Sequence, residues 1–222
     1  MLVFRFEVGS DSPTTGIVVL LAVANLLAKI DRPLTLKSGI SNVMFAFFNG
    51  ESFDYLGSSS MVYNMMNSTF PPSEDTKEAE VNDIENEPDI QDEKVVWPKI
   101  NLNSLKMVLE LDQLYQSESQ LYAHVDTKFS SDDLLDKLKK YARKHDVNIK
   151  QATTQGRGLP PASLQSILKK RREVPGIMVS NFDQKFSNNY YHGPYDNFSL
   201  LSIYNASKGE EQKLVEDLAK GK

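Results

Sequence analysis

The chain has 222 residues, 40% hydrophobic and 25% charged, with a net charge of −5 and no cysteine. These are the proportions of a folded soluble protein that can bury a core, and the missing cysteines exclude disulfides and cysteine-ligated metals without fixing a compartment. The longest apolar run, 16–28, spans 13 residues and contains Asn25, which predicts a buried helix rather than a bilayer span, since spanning takes about 20 residues. The first residues carry no basic region followed by an apolar stretch, so no secretory leader is read there, and the chain is expected to begin inside a longer protein.

Ser10-Asp-Ser-Pro13 has the pattern of a helix start, with Ser12 as cap and Pro13 in the first turn, and predicts a helix over 14–29. The run Val43-Met-Phe-Ala-Phe-Phe48 has no polar alternation. It predicts a strand over 42–48 covered on both faces, as in a parallel sheet, and Asn49-Gly50 ends it. Ligands of open α/β folds bind beyond the ends of such strands, which places Glu51 where a site is expected. A helix over 58–66 follows, with Met61, Met65 and Met66 expected in a core. After Pro71-Pro72, residues 74–94 hold ten acidic residues against two lysines. That composition predicts a disordered acidic insertion over 72–95. It lacks the spacing of a calcium loop.

Beyond the insertion, the pattern predicts a strand over 105–111 ending at Asp112 and an edge strand over 121–125. A helix over 131–141 has a Ser131 cap, early acids and late bases. A strand over 147–151, a helix over 162–171 after Pro160-Pro161, and a strand over 176–180 complete the alternation. The fold class is therefore α/β, a mixed, mostly parallel sheet flanked by helices. A loop over 188–197 contains His192, and an apolar helical face begins at Leu214, Val215 and Leu218. Lys169-Lys-Arg-Arg172 reads as a solvated helix end in an acidic chain, so no nucleic-acid partner is expected.

Glu51, Asp112 and His192 all follow predicted strands. Two carboxylates and an imidazole can hold zinc or transfer protons, although a lone loop glutamate is usually solvated and a lone histidine usually structural. His124 alternates with apolar residues in a strand and His145 ends a helix, so neither is singled out. No serine-hydrolase elbow or phosphate-binding glycine loop occurs. Three sequons, Asn67-Ser-Thr, Asn197-Phe-Ser and Asn205-Ala-Ser, favour a luminal or extracellular chain.

The segment Phe45-Ala-Phe-Phe-Asn-Gly-Glu51-Ser-Phe-Asp54-Tyr55-Leu56-Gly57-Ser58 resembles the nicastrin family, including its Asp-Tyr-Ile-Gly-Ser motif with Leu56 in place of Ile. Leu159-Pro-Pro-Ala-Ser-Leu-Gln165, Pro175-Gly-Ile-Met-Val-Ser180 and Phe186-Ser-Asn-Asn-Tyr-Tyr191 follow in the family's order, so the similarity runs over 4–218 and weakens through the acidic insertion. That family is in turn similar to zinc aminopeptidases and the transferrin receptor. The resemblance implies a single degenerate, zinc-aminopeptidase-like domain over 1–222, truncated at both ends.

By the same comparison, Ser12 stands at the bridging Asp, Glu51 at the general base, Ser52 at a ligand Glu, Asp112 at a ligand Asp and His192 at the last ligand His, with the first ligand His before Met1. Serine hydroxyls cannot offset the repulsion of two zinc ions. The resemblance therefore implies a pseudo-peptidase without cofactor, in which Asp112 and His192 hold at most one zinc weakly. It also implies a non-catalytic subunit of gamma-secretase that recruits or gates type I membrane protein stubs, with presenilin and the other subunits as partners and presenilin supplying catalysis. In that role Glu51 pairs with the free substrate N-terminus and Tyr55 offers a ring face to the ammonium. The parent is expected to be a single-pass type I protein with this region luminal or extracellular, in endoplasmic reticulum, Golgi and plasma membrane. Two alternatives stand beside it: Glu51 and the Asp54-Tyr55-Leu56-Gly57-Ser58 motif bond internally to keep the domain folded for complex assembly, or the chain is an active zinc aminopeptidase.

Overall fold

The computed structural model describes residues 14–29, 42–72, 98–115, 120–126, 132–153, 158–186 and 191. Helices α1 (Thr14–Ala28) and α2 (Leu56–Met66) precede β1 (Val108–Leu111) and β2 (Gln120–Val125), then α3 (Asp132–Arg143), β3 (Asn148–Gln151), α4 (Leu164–Leu168) and β4 (Gly176–Ser180). The four strands form one sheet in the order β1-β4-β2-β3. The β1–β4 and β2–β3 pairs are parallel and β2–β4 is antiparallel. The sheet is mixed and mostly parallel, as the alternation predicts. No helix among the described residues is long and apolar enough to cross a membrane.

The period-2 geometry of a strand explains why β4 is buried at every position. Ile177 and Val179 join Leu121, Ala123, Val125, Leu135 and Ile149 on the face covered by α3, while Met178 packs with Leu164, Leu168 and Phe182 beneath α4. Gly176 permits the second contact. A Cβ there would lie 2.7 Å from Leu164 Cδ1.

Four sequence expectations are corrected. The strand expected over 42–48 is absent. The run pairs with no strand among the described residues, and Val43 and Phe47 are 59% and 49% exposed. Ala46 and Phe48 pack against Met61, Val62 and Met65 and Phe45 is half-buried, while Val43, Met44 and Phe47 stay exposed, so the run is covered in part rather than on both faces. Strand β2, expected at an edge, lies between β4 and β3. Its polar residue needs no solvent there, because His124 Nε2 lies 2.9 Å from both Ser180 Oγ and the Phe182 carbonyl. Helix α1 is buried at Thr15 and Gly16 but leaves Leu26 63% exposed, since it is anchored by its first turn: Thr15 Oγ1 accepts from Leu114 N–H at 3.0 Å, and a Cβ on Gly16 would meet the Leu111 carbonyl oxygen at 2.6 Å. Met66 is half exposed, on the outer face of α2, whereas Met61 and Met65 are core residues as expected.

Boundaries also differ. The strand expected from 105 begins at Val108, after a 3-10 turn over Leu102–Ser104. Helix α4 is five residues long, so the four bases follow it, and Arg171 turns back to donate to the Leu102 and Leu105 carbonyls. Ser12, Ser131, His192, Asn197, Asn205, the acidic segment from residue 73 onward and the C-terminal apolar face lie outside the described residues.

Candidate functional site

The loop from Gly50 to Tyr55 makes an abrupt entry into α2. Gly50 has φ +76°, and Asp54 and Tyr55 both sit in the left-handed region at φ 56° and 59°, conformations that cost non-glycine residues free energy unless the surroundings hold them. Two backbone bonds fold the loop: Phe53 N–H to the Gly50 carbonyl at 3.0 Å and Tyr55 N–H to the Glu51 carbonyl at 2.9 Å. Because Tyr55 supplies no side-chain cap to α2, the exposed N–H groups of the first turn need another acceptor.

Glu51 supplies it. Its Oε1 accepts from Ser58 N–H at 2.7 Å, and its Oε2 accepts from Ser58 Oγ–H at 2.9 Å and Ser163 Oγ–H at 2.6 Å. A carboxylate at a helix N-terminus also complements the helix dipole. Gly57 leaves the room required, since a Cβ there would be 2.5 Å from the Asn49 carbonyl oxygen and 2.9 Å from Glu51 Oε1. The motif thus divides by role: Asp54 and Leu56 are exposed at its surface, Tyr55 is half-buried, and Gly57 and Ser58 receive Glu51.

Sequence reasoning missed the second carboxylate. Glu110 on β1 accepts from Ser163 N–H at 2.8 Å and Leu164 N–H at 2.7 Å, capping α4 as Glu51 caps α2. Ser163 therefore joins the two, giving its backbone N–H to Glu110 and its hydroxyl to Glu51. Ser58, Ser59 and Ser166 extend the network, with Ser166 Oγ 2.9 Å from Ser58 Oγ and 3.2 Å from Ser59 Oγ. The Glu110 pKa is raised to about 7, chiefly by burial and in smaller part by the Asp112 and Glu51 charges, against the lowering effect of its two backbone bonds. The signal was available in the sequence as a lone charge inside the apolar run Val108-Leu-Glu-Leu111.

The expected site residues are brought together only in part. Glu51, Gly57 and Ser58 form one contact, and Asp112, itself buried, stands near enough to Glu110 to act on its titration. Tyr55 is near as well: burial raises its pKa, as do the charges of Glu110, Glu51 and Asp54. Its ring already has a cation, Lys169 Nζ, 5.9 Å from the centroid. Ser52 is exposed. Among the described residues no three His, Asp or Glu side chains are grouped to hold a metal. The donors also do not fit zinc, because both oxygens of Glu51 are bound to N–H and O–H groups and the adjacent position offers a serine hydroxyl.

The family model for the nicastrin large lobe matches residues 2–220. The chain belongs to the nicastrin family. It is 32% identical to nicastrin of Homo sapiens over 216 residues, 30% identical to that of Rattus norvegicus over 224, and 26% identical to that of Caenorhabditis elegans over 223. In each case 96% of this chain is covered, but only 27% of the human and rat proteins and 28% of the nematode one. The fold matches the crystal structure of the gamma-secretase component nicastrin with a TM-score of 0.64 at 24% identity, covering 96% of this chain and 36% of that one. The nicastrin-like α/β fold and the Glu51 loop thus stand in a chain that spans about a quarter of these relatives' length.

Proposed function

We propose that the protein is a non-catalytic subunit of gamma-secretase, partnered with presenilin and the other subunits. In this reading the chain is part of one luminal aminopeptidase-like domain on a single-pass membrane protein, which recruits or gates type I membrane protein stubs for the intramembrane aspartyl protease. Family membership supports the subunit assignment. One geometric observation carries the role of the site: the Glu51 carboxylate is taken up by donors from α2 and from the start of α4. In this reading it fixes a rim made by the two helix ends. A gate needs a surface of constant shape, and two helix ends tied through one carboxylate supply that.

A second reading rests on what Glu51 has left. A carboxylate offers about four acceptor positions, and the three bonds leave one open on Oε1. A substrate ammonium reaching that position, half-buried beside Tyr55, would gain more than an exposed pair's roughly 0–1 kcal/mol. Glu51→Gln in the assembled complex separates the readings, with the complex yield measured beside cleavage of stubs that differ in ectodomain length and in N-terminal acetylation. The rim reading expects loss of assembly or of discrimination by length. An assembled variant that has lost only its preference for the free N-terminus selects the second reading, and one that behaves as wild type in every respect overturns both.

A further inference from the structure

We propose that Asn49-Gly50 is a site of spontaneous isoaspartate formation, and that the rearranged main chain withdraws Glu51 from the first turn of α2. Asn-Gly occurs once in the chain. The chemistry needs an asparagine side chain that can turn back on its own backbone and a following N–H that is free to attack it. Both are present. Asn49 is exposed, and among the described residues no hydrogen bond engages its side chain or the Gly50 N–H. Gly50 has no side chain to shield its nitrogen, and at φ +76° it holds a conformation that glycine adopts readily. The two Asn-Ser steps among the described residues differ at this atom: Ser68 N–H donates to the Met65 carbonyl and Ser104 N–H to the Asn101 carbonyl, at 3.4 and 2.9 Å. The other described asparagines precede bulky side chains.

Water is the only other reactant. Gly50 N attacks Asn49 Cγ, the Cγ–Nδ2 bond breaks, and Nδ2 leaves as ammonia with the proton that Gly50 N gives up. Water then opens the cyclic imide. Addition at Cγ gives aspartate. Addition at the old main-chain carbonyl carbon gives isoaspartate, whose main chain runs through Cβ and Cγ and whose former carbonyl oxygen belongs to a carboxylate. That carboxylate arises in a crowded place. The Asn49 carbonyl oxygen and Glu51 Oε1 already lie 2.5 and 2.9 Å from the same point, where a Cβ on Gly57 would stand. A second anion there repels the Glu51 carboxylate and competes with it for Ser58 N–H, which Glu51 Oε1 holds at 2.7 Å. The lengthened main chain also shifts Glu51 itself, so its bond to Ser163 Oγ–H is lost with the cap.

Any effect of this change on gating rests on the role proposed above for Glu51; the change itself does not. Full-length protein in its assembled complex is incubated at neutral pH and compared with fresh protein. Peptides are mapped by electron-based fragmentation, which separates isoaspartate from aspartate, and hydrogen exchange is followed at the start of α2. Isoaspartate is expected at 49 while Asn103 stays intact, together with faster exchange at Ser58 N–H, and Asn49→Gln is expected to lose both changes. An Asn49 that survives in the folded complex but is converted in the urea-unfolded chain overturns the proposal, because the fold then withholds the attack. Isoaspartate at 49 with unchanged exchange at Ser58 overturns the withdrawal of Glu51. Neither result depends on gating, which the Glu51→Gln comparison reads separately.

Discussion

Replacing Glu110 with Gln should remove a pH dependence that the wild-type protein owes to one enclosed carboxyl group. The Glu110 pKa stands at about 7 against an ordinary 4.5, so the folded state holds a proton that the unfolded chain has already released. A group whose pKa rises on folding adds stability that is fully present below its unfolded pKa and is lost as pH rises through its folded one. Each unit is worth about 1.4 kcal/mol, and integration between pH 5 and pH 8 gives about 2–3 kcal/mol for Glu110. Glutamine adds a second effect. One of the N–H groups of Ser163 and Leu164, now bonded at 2.8 and 2.7 Å, faces an amide NH2 in place of an oxygen, at a pH-independent cost of about 1–3 kcal/mol. Urea unfolding of both proteins, followed by circular dichroism at several pH values, should give a wild-type advantage that is largest near pH 5 and shrinks toward pH 8. A difference that stays constant over this range would refute the reasoning that Glu110 titrates inside the folded protein.

Gly57→Ala forces a methyl group to within 2.5 Å of the Asn49 carbonyl oxygen and 2.9 Å of Glu51 Oε1, so about 1–3 kcal/mol of stability should be lost, read as a lower midpoint in thermal unfolding; an unchanged midpoint would show that the loop yields freely. His124 titrates with the opposite sign to Glu110. Burial lowers its pKa, opposed by its bond to Phe182 and the charge of Asp183, so its contribution is present above the ordinary histidine pKa of 6.5 and is lost as pH falls through its lower folded value. Nuclear magnetic resonance titration should find this ring still neutral below pH 6.5, and His124→Phe should remove that part of the acid sensitivity.

What the sequence made legible follows from how local each signal is. Strand β4 was read at its observed bounds because Gly176-Ile-Met-Val-Ser180 is covered on both faces, and nothing else explains five such residues in a row. Helix α3 announced itself through its acidic first turn and basic last turn. The apolar run at 43–48 misled because such a run specifies burial without specifying a pairing partner; here α2 covers it only in part. Strand β2 misled for the converse reason, since the partners that satisfy its buried His124, Ser180 and Phe182, lie 56 and 58 residues away. Glu51 was located through its loop and its family motif, but its bond to Ser163 crosses 112 residues, and no local pattern carries that.

The capping of α4 by Glu110 has a consequence for the order in which the molecule is built. Five residues are too few for a helix to persist alone in water, where about 12–15 residues are already marginal. The first N–H groups of α4 are satisfied by a side chain 53 and 54 residues earlier in the chain, on the strand that pairs with β4. Loop closure of that length delays the contact until non-local pairing has formed. The Glu51–Ser163 junction can form only on a helix that β1 has already completed, so the rim is among the last parts of this region to mature. An antibody or chaperone that recognises the closed junction would distinguish finished molecules from chains whose strands are still unpaired.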